Sequence, residues 1–296
     1  MRQRSTASAL AAAAGLAIMA ASEGATLAGV QVAGRWNTPI CWTGFIVFAD
    51  AIVYRRRGSS WLTSDRREFA GLALLSIPLW LVFEFYNLYL RNWYYVGLPE
   101  SALARLLGYA WAFGTIWPAI FEAAELVAVL RRPPAAARTP RESGGSPRPT
   151  AALSVAAGAA MLAAPFLVSP AAVRYMAAPV WLGFVFLLDP INERLGAASL
   201  LADIRAGSTR RLSNLILAGF LCGGLWEFWN YWALAKWYYT VPIMERVKIF
   251  EMPLPGYFGF PPFALECFTM YVFVRALACR AAGTAESGAA GRTIGL

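Results

Sequence analysis

Apolar runs of roughly 20 residues recur along the whole chain, and that length crosses a bilayer as a helix. An example is AALSVAAGAAMLAAPFLV (151–168). Hydrocarbon offers no hydrogen-bond partners, so a spanning backbone must be helix or closed barrel. Barrel strands alternate polar and apolar residues over about 10 positions. These runs are continuous and rich in Ala and Leu, so they predict helices. Only 15% of the 296 residues are charged, against about 25% in soluble domains. The fold class is all-α: a polytopic integral membrane bundle. Helices are expected near 8–30, 39–54, 69–91, 106–130, 151–169, 178–191, 212–235 and 256–279.

The chain repeats itself. WTGFIVFAD (42–50) matches WLGFVFLLD (181–189), placing Trp42, Gly44, Phe45 and Asp50 opposite Trp181, Gly183, Phe184 and Asp189. EFYN (84–87) then matches EFWN (227–230), and Trp93-Tyr94-Tyr95 matches Trp237-Tyr238-Tyr239. Gly108-Tyr109 matches Gly256-Tyr257, and PAIFE (118–122) matches PFALE (262–266). Matches in one order imply a tandem duplication. Each half holds four expected spans, an even number, so the halves share one orientation. The expected bundle is therefore eight transmembrane helices as two parallel four-helix repeats, with a pseudo-twofold axis along the membrane normal.

The units are 1–130 and 151–280. A Pro-, Arg- and Ser-rich stretch (131–150) joins them as a cytoplasmic linker, and 281–296 is a flexible tail. With the N-terminus inside, 19 of the 26 Lys and Arg residues lie on the inner side and 7 on the outer. The positive-inside rule then places both termini in the cytoplasm of a multi-pass inner (plasma) membrane protein. The start, MRQR before a short apolar run, also resembles a signal peptide. The equivalent run 151–169 cannot be a cleaved signal, which favours a retained first helix. The net charge of +9 follows the loops and suits topology and anionic headgroups, not nucleic acid.

The sequence contains no histidine. That excludes His-ligated di-iron, haem and zinc centres, so no metal or cofactor is expected. Cys41, Cys222, Cys267 and Cys279 lack C-x-x-C spacing and read as core packing. Acid–base work falls to carboxylates and phenols. Within or near the spans lie Asp50, Glu84, Glu122, Glu125, Asp189, Glu227 and Glu266. Such residues are costly in a bilayer and mark sites or paired contacts. Glu84, Asn87 and Arg91 share a helical face by spacing; Glu227 and Asn230 repeat it, with Lys236 off the stripe. Helix-to-helix hydrogen bonding would also explain the duplicated Glu and Asn. Asp50 and Asp189 are expected to pair with Arg55–Arg57 and Arg194. The Trp-Tyr-Tyr triplets are expected in an interfacial aromatic belt. Phe85, Tyr86, Trp226, Phe228, Trp229 and Trp232 lie deeper and could line an apolar pocket. Prolines and glycines in 250–266 predict a re-entrant segment capping that pocket.

The stretches KWYYTVP (236–242), PPFALE (261–266), NWYYVGLP (92–99) and PAIFE (118–122) resemble the domain of the heterodimer-type lycopene cyclases. That resemblance implies a tandem of small helical membrane units in which a polyene end is cyclised by proton chemistry. The leading expectation is a metal-independent acid–base enzyme of the cyclase or isomerase kind, or a binding protein, for a polyisoprenoid or similar apolar lipid. Glu84, Glu227, Glu122 and Glu266 would act as acids or bases around one cavity. Asn87, Asn230, Trp226, Trp229, Phe85, Phe228 and Tyr257 would bind substrate. The alternatives are a proton- or cation-coupled small transporter or channel, and a structural subunit of a membrane complex. The expected partner is a membrane lipid or apolar small molecule; a homo-oligomer is compatible with this reading.

Overall fold

The structure, a computed structural model, describes residues 2–131 and 148–283. Most of the expected linker (131–150) and tail (281–296) lies outside the described residues. The first half contains α1 (Arg2–Leu27), α2 (Gln31–Arg57), the short α3 (Trp61–Ser64), α4 (Arg66–Leu90), strand β1 (Trp93–Val96), α5 (Ala102–Gly114) and α6 (Ile116–Leu130). The second contains α7 (Arg148–Leu167), the short α8 (Pro170–Val173), α9 (Ala177–Arg194), α10 (Leu200–Arg205), α11 (Arg210–Trp232) and β2 (Lys236–Tyr239). A hairpin of β3 (Lys248–Ile249) and β4 (Met252–Pro253), a 3-10 turn (Leu254–Gly259) and α12 (Phe260–Ala281) complete it.

Helix dominates, and six helical stretches are long and apolar enough to cross a membrane: Thr6–Leu27, Arg66–Leu90, Ala102–Leu130, Pro149–Leu167, Arg210–Trp232 and Leu254–Ala281. The chain thus has the character of an integral membrane protein. The α2 and α9 helices form where spans were expected but are not among the six. Arg35, Asp50 and Arg55–Arg57 reside on α2; α9 is 18 residues long and carries Asp189, Glu193 and Arg194.

Glycine sets the tightest helix contacts. On α1, a Cβ added to Gly15 would sit 2.5 Å from the Gly44 carbonyl oxygen of α2. On α7, a Cβ on Gly158 would sit 2.7 Å from the Gly183 carbonyl oxygen of α9 and 2.4 Å from the Leu187 nitrogen. Such backbone approach substitutes for hydrophobic drive between helices in lipid. The break between α5 and α6 also has a local cause. Pro118 cannot donate to the Gly114 carbonyl, and its ring crowds that turn. Pro261 and Pro262 instead fall in the first turn of α12, where no intrahelical donor is needed.

Three expectations are corrected here. The Trp-Tyr-Tyr triplets, expected only as members of an aromatic belt, are strands: α4 stops at Leu90, α11 stops at Trp232, and the triplets form β1 and β2. Arg91 takes a left-handed backbone (φ 52°) as the α4 cap, which removes it from the Glu84–Asn87 face. Asp50 and Asp189 cap short helices. Asp50 accepts from the Leu62 nitrogen (2.8 Å) and the Thr63 hydroxyl (2.5 Å). Asp189 accepts from the Leu200 and Leu201 nitrogens (2.7 and 2.9 Å) and the Ser199 hydroxyl (2.8 Å). A helix N-terminus supplies unpaired donors and positive potential, so it satisfies a buried carboxylate without arginine.

The strands from the two halves join into one antiparallel ribbon. Trp93 faces Tyr239, Tyr94 faces Tyr238 and Tyr95 faces Trp237. The central rings stack at 5.9 Å. Beneath the ribbon lies a core of large aromatics, with Trp117, Phe83, Phe121 and Phe268 fully buried.

Candidate functional site: an aromatic cavity under the ribbon

Glu84 and Glu227 occupy the last turns of α4 and α11, just before the chain turns into the ribbon. Asn87 and Asn230 fix that turn. The Asn87 amide donates to the Trp93 carbonyl (2.9 Å), and its oxygen accepts from the Asn92 nitrogen (2.9 Å). The Asn230 amide donates to the Trp237 carbonyl (2.9 Å) and accepts from the Trp237 nitrogen (2.9 Å). Each asparagine therefore clamps a strand backbone against its own helix.

The clamp returns the last tyrosine of each Trp-Tyr-Tyr triplet toward the glutamate. The Tyr95 hydroxyl donates to Glu84 Oε1 at 2.5 Å, and the Trp80 and Trp93 indoles donate to the same oxygen at 2.8 and 3.3 Å. The Tyr239 hydroxyl donates to Glu227 Oε1 at 2.6 Å and accepts from the Trp237 indole at 2.7 Å. Burial, with the Glu84 carboxylate beside it, holds the Tyr95 phenol well above the usual tyrosine range. Burial, with Glu227 beside it, does the same for Tyr239. Both phenols are thus O–H donors over the ordinary pH range.

Both tyrosines line one cavity, whose empty volume is about 1180 Å³ including its open mouth. Its wall draws on both halves: Trp42 and Trp181, Phe83 and Trp226, Trp93 and Trp237, with Phe263 at the centre. Phe263 makes edge-on contacts with Trp80, Phe83, Trp117 and Trp226. The two sides are not identical. By spacing, Gly223 stands where Trp80 does, and a Cβ there would lie 2.3 Å from the Phe260 ring. One half supplies an indole from α4; the other leaves room for a phenyl from α12.

The sequence-derived candidates separate. Trp226 lines the cavity, while Glu84 and Glu227 back it through Tyr95 and Tyr239. Trp229 is buried behind the wall, 4.9 Å edge-on to Trp42. Phe85 and Phe228 are exposed and do not line it. Tyr257 packs on Phe260 and donates to the Ile249 carbonyl (2.9 Å). Glu122 and Glu266 are fully buried but outside the lining. Glu266 Oε1 accepts from the Phe184 nitrogen (3.3 Å), and neither Glu122 oxygen has a hydrogen bond among the described residues. Glu125, one turn from Glu122, is bound by Arg57 and by the Trp61 indole (3.1 Å).

Tyr95, Tyr239, Trp80, Trp93 and Trp237 were not named as site residues by sequence. The available signal was duplication itself: a tyrosine follows the repeated glutamate by nearly the same interval in both halves. Among the described residues, no group of three or more potential ligands is placed to hold a metal ion.

In comparison with known proteins, no protein-family profile, no curated protein and no solved structure matches the chain. The likeness to the lycopene cyclase domain stands on the quoted residues alone.

Proposed function

We propose that this protein takes an unsaturated polyisoprenoid or similar apolar lipid into the aromatic cavity. There the Glu84–Tyr95 and Glu227–Tyr239 pairs provide polar contacts for acid–base rearrangement of its double bonds. The observation that carries this is the cavity wall: aromatic faces from both halves, with a glutamate-bound phenol on each side. Aromatic faces bind an extended apolar chain by burial and stabilise positive charge that develops on it. A phenol held by a carboxylate presents a fixed oxygen to that charge, so no reorganisation is needed during a step. The site residues we assign are Glu84, Tyr95, Glu227 and Tyr239 for proton and charge handling, with Trp226 and its neighbours for binding. Glu122 and Glu266 are assigned no contact with the lipid.

We read the chain as eight spans in two parallel four-helix units, both termini cytoplasmic. The symmetric ribbon register, the paired glycine contacts of α1–α2 and α7–α9, and the paired Asp caps support this layout.

The test is ligand capture. Protein purified in nonionic detergent should carry an isoprenoid-type lipid extractable in organic solvent, or bind one with quenching of tryptophan emission. Glu84→Gln combined with Glu227→Gln should lower turnover at least tenfold while quenching persists. Wild-type protein that neither carries nor binds such a lipid sinks the proposal. A pH-dependent ion flux in proteoliposomes would instead favour transport.

A further inference from the structure

The cavity mouth is chemically unlike its interior. Arg35 on α2 and Arg105 on α5 are exposed and both line the opening. Neither forms an ion pair among the described residues. Arg105 is oriented by the Pro99 and Glu100 carbonyls, which accept from its Nη1 (3.3 Å each). The tandem repeat supplies an internal contrast. Counted from Trp42 and Trp181, Arg35 and Arg174 hold the same position. Arg174 is committed to structure, donating to the Thr240 carbonyl just past the ribbon (2.6 Å), and it does not line the cavity. Among the described residues, Arg35 has no such partner. One half uses its arginine to brace the ribbon, and the other leaves it at the mouth of an aromatic cavity.

A purely apolar ligand would gain nothing from two guanidinium groups at its entrance. An amphiphile with an anionic head would gain charge-assisted hydrogen bonds there, with its chain against the aromatic wall. Guanidinium forks match phosphate oxygens in pairs. We propose that the ligand is an isoprenoid bearing a phosphate head, held at Arg35 and Arg105. This rests on the isoprenoid reading above and adds the head group and its two contacts.

Binding to the full chain in nonionic detergent, followed by tryptophan emission, separates the two claims. Farnesyl phosphate, farnesol and inorganic phosphate are the probes. Farnesyl phosphate should bind at least about tenfold more tightly than farnesol, a difference of about 1.4 kcal/mol. Arg35→Gln with Arg105→Gln should erase that preference and leave farnesol binding unchanged. Arg174→Gln should lower thermal stability and keep the preference. The preference should also shrink as salt is raised, because exposed charges are screened. Equal binding of farnesol and farnesyl phosphate, or a preference that survives in R35Q/R105Q, overturns the head-group assignment alone. Displacement of farnesyl phosphate by equimolar inorganic phosphate overturns it in favour of a free-anion site. If neither isoprenoid binds, the isoprenoid reading fails and this assignment fails with it.

Discussion

Tyr239 carries two hydrogen bonds at once, giving its proton to Glu227 and accepting the Trp237 indole. The bond is to Oε1, and Glu227 Oε2 has no hydrogen-bond partner among the described residues. Tyr239→Phe therefore strips a buried carboxyl of its donor and leaves an indole N–H unpaired. The expected cost is about 1–3 kcal/mol, measured by thermal unfolding in detergent. Glu227→Leu in the Tyr239→Phe background should recover part of it, because removing both partners costs less than orphaning one. A strictly additive double variant would deny the coupling. Alkaline pH probes both phenols. Their folded pKa values lie above the ordinary value of about 10. The folded state then favours the protonated phenol, so its contribution is complete below about pH 10. It is lost as pH rises through the folded values. Unfolding midpoints should fall above about pH 10, and Tyr95→Phe with Tyr239→Phe should flatten that fall. Identical slopes for both proteins would remove the phenols from the account.

At the scale of elements, glycine decides how closely helices meet. Gly158→Ala places a methyl 2.4 Å from backbone of α9, where nothing flexible can yield. We expect a loss of about 1–3 kcal/mol by the overpacking rule. Gly24 and Gly224 have open space around a Cβ. Alanine there should be neutral or stabilising by up to about 1 kcal/mol through helix propensity. Equal effects at Gly158 and Gly224 would count against the close approach. The sequence announced the helices and placed the ends of α4 and α11 within about three residues, but it did not announce the strands that follow them. Hydrophobicity continues through Trp-Tyr-Tyr, so nothing in composition marks the change from helix to strand. What stops the helix is the asparagine clamp, which needs the strand already turned back against it. Asp50 and Asp189 misled for a similar reason. Arginines close in sequence suggested ion pairs, while the partners in space were backbone donors of α3 and α10.

For the whole molecule, the ribbon is the test of how the halves join. Tyr94→Cys with Tyr238→Cys puts two thiols directly opposite in the register. Mild oxidation should cross-link them, so that a chain cut at a protease site inserted within 132–147 still runs as one band. Failure to cross-link, with both thiols reactive to maleimide, would rule out this register. The sequence by itself marked a mostly helical chain with apolar, membrane-length segments, the positions of the main helices, and motifs that recur in one order. These depend on hydrophobic length and on order along the chain, which bilayer thickness and internal comparison convert directly into structure. It also put Glu84, Glu227 and Trp226 among its candidate residues. Only the tertiary structure decided that tyrosines stand between the glutamates and the cavity, and that Glu122 and Glu266 lie apart from it. It alone left Arg35 at the mouth while Arg174 braces the ribbon. The sequence places matching residues on matching elements. Which of them share a space depends on how two backbones turn and pair across more than a hundred intervening residues.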